Sequence, residues 1–85
     1  MTVFAIIAPE ENEALTRKVE EHFPSHLEFS PGQFVASSTT GLTAGQAAEL
    51  LGAEGQLGRF VVFTVAGHWG YHRKDLWEWL RANPS

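Results

Sequence analysis

The run Phe60-Val61-Val62-Phe63-Thr64-Val65-Ala66 sets the tightest limit on what this chain can become. It is far shorter than the roughly 18 to 20 apolar residues that cross a bilayer, and it is rich in β-branched and aromatic side chains. Length and composition together predict a buried strand over about 59–66 rather than a helix. Val3 to Ala8 is a second such run, ended by Pro9, and predicts a strand over about 2–8 with apolar side chains on both faces. A chain of 85 residues that holds two such strands has to cover them with the little material left.

Between the two runs the remaining elements follow from local chemistry. Leu15, Val19 and Phe23, with Ala14 beside them, recur at helical spacing behind Asn12, a good N-cap, and acids crowd the first turn, so a helix is expected over about 11–23. His26–Ser30 and Gln33–Ser38 are extended segments around Pro31-Gly32, a type II turn pair, and predict a hairpin. Thr43-Ala44-Gly45-Gln46 fits a capping box, with Leu42 placed to pack on Ala47. That starts a helix over 44–52 whose stripe is Ala47, Leu50 and Leu51, with Gly52 as a left-handed terminator. A final helix over about 73–82 groups Leu76 with Leu80, flanked by Trp77 and Trp79.

The expected fold class is therefore α+β. The order strand, helix, strand, strand, helix, strand matches a single ferredoxin-like βαββαβ domain over 1–85, with an extra C-terminal helix. In that arrangement the last strand lies at a sheet edge, and an apolar edge needs cover. The tryptophan helix, a second chain, or both are expected to supply it, giving a homodimer.

Composition narrows the function classes. The net charge of −4 and the absence of a basic stripe disfavour a general nucleic-acid surface. With no cysteine there is neither a disulfide framework nor a thiolate metal site. Met1-Thr2-Val3-Phe4 lacks the basic start and long apolar core of a signal peptide, so a cytoplasmic protein that does not enter a membrane is expected. Gly52 to Gly58 is rich in glycine but follows a helix and precedes a strand. That order is the reverse of a phosphate loop, so it reads as a connector.

Three constellations carry candidate chemistry. Gly67-His68-Trp69-Gly70-Tyr71-His72-Arg73-Lys74 runs from a strand into a helix, and Arg73 and Lys74 in a first turn oppose the helix dipole. A bound anion would offset them, with Trp69 or Tyr71 stacking on a ring. His68, Trp69, Tyr71, His72, Arg73 and Lys74 thus form a candidate site for a nucleotide or a short single strand. The alternative is a solvated turn whose aromatics fill a core or dimer contact. His22 with His26, and His68 with His72, have the i, i+4 spacing of a helical metal chelate. Pro24 and Gly70 interrupt both pairs, so no metal or other cofactor is expected. Ser37, Ser38, Thr39 and Thr40 come without a base and orienter, and no catalytic residue is assigned. Finally, Trp69, Trp77 and Trp79 have the composition of interface hot spots, and a chain this small has difficulty burying all of them.

In length, element order, apolar first strand and C-terminal extension the chain resembles the CRISPR-associated small endoribonuclease-like families and their toxin-like relatives. The likeness rests on topology and length and implies a dimeric fold. Those families are expected to carry an aspartate at the end of the first strand. This chain has Ala8-Pro9-Glu10 there, and its only aspartate, Asp75, lies in the last helix. No catalytic residue is carried over, and the nuclease activity is not expected.

Overall fold

The computed structural model describes residues 2–52, 58–67, 70, 72 and 74–83. The elements are β1 (Thr2–Ile7), α1 (Glu13–His22), β2 (His26–Ser30), β3 (Gln33–Ser38), α2 (Ala44–Gly52), β4 (Val61–Thr64) and α3 (Lys74–Ala82). The fold is α+β, with one four-stranded sheet in the order β2-β3-β1-β4. Every neighbouring pair of strands is antiparallel, an arrangement compatible with a ferredoxin-like fold.

Local signals act as their chemistry requires. The Asn12 side chain accepts from the Leu15 amide at 3.1 Å and starts α1. Thr43 and Gln46 form the reciprocal box, Gln46 N–H to Thr43 Oγ1 at 3.1 Å and Thr43 N–H to Gln46 Oε1 at 2.9 Å. Between β2 and β3, Gly32 has φ 77°, as a type II turn demands. Its carbonyl also accepts from Ala8 N–H at 2.8 Å, tying the hairpin to the end of β1. A Cβ at Gly32 would lie 2.4 Å from the Glu10 carbonyl oxygen, so glycine is required there twice over.

Side chains alternate across the sheet and divide the core in two. On one face Phe4, Ile6, Phe34 and Ala36 meet Leu15 and Val19 from α1, Phe23 just past its end, and Ala47 and Leu51 from α2, with Leu42, Phe60 and Val62 packed at the margin. Phe4 and Phe23 touch edge to face, ring centres 6.0 Å apart. On the other face Val3 and Val35 meet Leu76 and Leu80 of α3, with Leu27, Phe29, Val65, Trp77 and Trp79 packed around them.

The two faces are roofed unequally, for a geometric reason. A helix is about 10–12 Å wide and strands lie about 4.8 Å apart, so one helix covers two strands. On the first face α1 and α2 cover β1 and β3 and, at the margin, Val62 of β4. On the second face α3 is the helix found among the described residues, and it packs against β2.

The expectations are corrected at four points. β4 is not a buried strand: it spans Val61–Thr64 only, and Val61 and Phe63 are 44% and 56% exposed. Leu50 belongs to no buried stripe, being 39% exposed on the flank of α2. Ala14, placed beside the α1 stripe, faces solvent. Gly52 is the last helical residue of α2 and is not among the glycines with positive φ. The connector over 53–57 lies outside the described residues.

Candidate functional site

The surface that stands out is the β1–β4 half of the α3 face. The register pairs Ala5 with Phe63 and Ile7 with Val61, so these four side chains project from the same side of the sheet. Val3 and Val35 on that side lie under α3 and are buried, whereas Val61 and Phe63 are open. Among the described residues the exposed large apolar side chains are Leu50, Val61 and Phe63. All of them sit on β4 or on α2, the helix that packs against β4. Among the described residues no strand lies beyond β4. Its sequence, Val-Val-Phe-Thr, carries no charge and no proline.

Of the positions singled out from the sequence, the described ones lie elsewhere. His68, Trp69, Tyr71 and Arg73 are outside the described residues. His72 is exposed, and its ring meets Phe29 edge to face at 5.2 Å. Lys74 Nζ lies 3.8 Å from Glu78 Oε1 one turn along, and Asp75 stands in the same first turn. The dipole at this helix start is thus met by acids of the chain itself. Trp77 and Trp79 pack around the second core, so the described part of the tryptophan set is turned inward.

Elsewhere the polar groups are occupied by structural duties. His26 Nδ1 bonds the Phe23 carbonyl at 2.6 Å, and since a carbonyl only accepts, that nitrogen holds the hydrogen. His22 Nε2 lies 3.9 Å from Glu21, its neighbour in the chain. Among the described residues no group of histidines and carboxylates is placed to hold a metal ion. Ser38 Oγ and Thr40 Oγ1 bond each other at 2.9 Å in a local turn, and Ser37 is buried. An open depression of about 200 Å³ is lined by Glu11, Glu28, Ser30 and Pro31, and Glu28 there accepts from Gly32 N–H at 3.1 Å. Among the described residues no helix is long and apolar enough to cross a membrane.

The open face of β4 was missed in the sequence because its apolar pattern records a need for cover, not whether the same chain meets it. The available signal was arithmetic: three helices cannot roof both faces of four strands. No family model, no curated protein and no solved structure matches this chain.

Proposed function

We propose that this chain is a small interaction module that works by self-association as a homodimer, on a ferredoxin-like core with α3 appended, and without catalysis of its own. The observation that carries the reading is the exposure of Phe63, 56%, on an uncharged edge strand of a chain whose other phenylalanines are buried or partly so. Isolated exposed apolar residues are ordinary on protein surfaces. A cluster on a free strand edge is an association site or an aggregation hazard.

The anion-binding reading of residues 67–74 gains no support from the described part of that loop. It rests on Arg73 and Lys74 opposing the helix dipole, and of these Lys74 has the Glu78 carboxylate 3.8 Å away, with Asp75 in the same first turn. The likeness to the CRISPR-associated small endoribonuclease-like families rests on length and element order in the sequence, and no nuclease residue is transferred from it. Light-scattering chromatography over a concentration series tests the proposal. A mass that rises from one chain to two supports self-association, and a single-chain mass at every concentration removes it.

A further inference from the structure

Resting on that reading, we infer that the second copy docks edge to edge: β4 pairs antiparallel with the β4 of its partner, with Phe63 facing the partner's Phe63 across the two-fold axis. The register follows from which backbone groups of β4 are spoken for. Val65 N–H donates to the Val3 carbonyl at 2.8 Å. Antiparallel pairing alternates, so among the residues paired with β1, Phe63 and Val61 also turn their backbone groups inward. The groups of Val62 and Thr64 point outward, away from the sheet. Two outward residues flanking one inward residue form a self-complementary edge. Val62 pairs with the partner's Thr64, Thr64 with the partner's Val62, and each pair exchanges two hydrogen bonds.

That register leaves Phe63 opposite itself in a non-hydrogen-bonded pair, where Cα atoms lie about 4.5 Å apart and side chains are closest. The most exposed of the large apolar side chains therefore meets its own copy. Val61, also exposed, faces the partner's Val65 on the same side of the sheet. On the opposite side, helices over a four-stranded sheet sit between strand pairs. The α2 helices of the two copies then stand roughly 10 Å apart, the ordinary distance for helix packing. Leu50 lies a quarter-turn from the buried Ala47 and Leu51 on α2 and enters that seam.

A second copy suits this edge better than an unrelated strand on grounds of charge as well. The chain carries −4, with acids gathered on α1 and the segment before it. β4 and α2 together hold a single charged residue, Glu49, which is exposed and points away from the buried stripe. Two copies can thus meet here without bringing their acidic surfaces together. A strand of four residues makes a small interface, so exchange between monomer and dimer is expected at micromolar concentration.

The absence of cysteine makes a direct test possible on the full chain. Phe63→Cys places one thiol on each side of the axis at a separation that a disulfide can span. Mild oxidation should link it into dimers at least tenfold faster than the exposed control Glu20→Cys. In the wild type, the amides of Val62 and Thr64 should gain hydrogen-exchange protection as concentration rises, while that of Glu20 does not. Thr64→Pro, which removes an outward donor not used by β1, should weaken the dimer and leave the far-ultraviolet spectrum unchanged. A dimer in which Phe63→Cys links no faster than the control, and Val62 and Thr64 gain no protection, would overturn this geometry and leave self-association standing. A chain that is monomeric at every concentration would remove both.

Discussion

The sheet has two edges, and they are built differently. β2 is guarded: Glu28 and His26 lie along it, a register shift breaks the ladder between Glu28 and Ser30, and α3 packs against it. β4 carries no charge and no register shift, and α2, the helix that packs against it, leaves Val61 and Phe63 open on the other face. Bulges, charges and covering helices are the usual means by which a protein keeps strand edges from pairing with other chains. A sequence that protects one edge in three ways and leaves the other apolar is not short of the means. The difference is what the proposed pairing at β4 rests on.

The comparison can be broken most forcefully at the roof of the guarded side. Leu80→Ala removes a buried contact between α3 and Val3 and Val35, and should lower the unfolding free energy by about 2–5 kcal/mol in chemical denaturation. A much smaller loss would mean that α3 does not cover that half of the sheet. Gly32→Ala should cost upward of about 1 kcal/mol, because a Cβ there meets the Glu10 carbonyl and φ is positive. An unchanged melting temperature would contradict the turn that joins the guarded edge to the centre. On the open side, Val61→Lys should leave monomer stability within about 0.5 kcal/mol, measured at a concentration where the chain is unassociated. The same substitution supplies the missing guard and should weaken self-association by about tenfold in sedimentation equilibrium. The smallest effect is expected from Glu28→Val, which strips a charge from β2. Species larger than a dimer should then appear at high concentration, and their absence would show that the bulge and α3 suffice.

What could be read in the sequence was whatever local chemistry decides. The Asn12 cap, the Thr43 and Gln46 box and the Pro31-Gly32 turn depend on residues within a few positions of one another, and each sits where it was expected. The inward stripe Leu76 and Leu80 followed from periodicity alone. Exposure at β4 was a different kind of question. Phe60 and Val62 are sheltered and Val61 and Phe63 are not, although all four are equally apolar, because helices roof one face of that strand and not the other. Leu50 escaped for a related reason: it shares the helical neighbourhood of Ala47 and Leu51 but stands on a flank, where cover depends on the next element over. For the tryptophans, a surplus was expected at an interface. Trp77 and Trp79 are half-buried and widen the helix that roofs the second core.

The central position of β1 has a consequence for how the chain comes to be folded. It leaves the ribosome before either of its neighbours, β3 some thirty residues on and β4 about sixty, as the pairing of Phe4 with Ala36 and Thr64 records. Contacts so distant along the chain close late, and ladders built from them form slowly. Until β4 docks, the nascent protein presents Phe4, Ile6 and Ile7 on an open edge more apolar than the one it finally keeps. The last strand thus acts as a stopper for the first. A chain cut short of Val61 would keep β1 unsealed and should be cleared or aggregate rather than accumulate as a smaller domain.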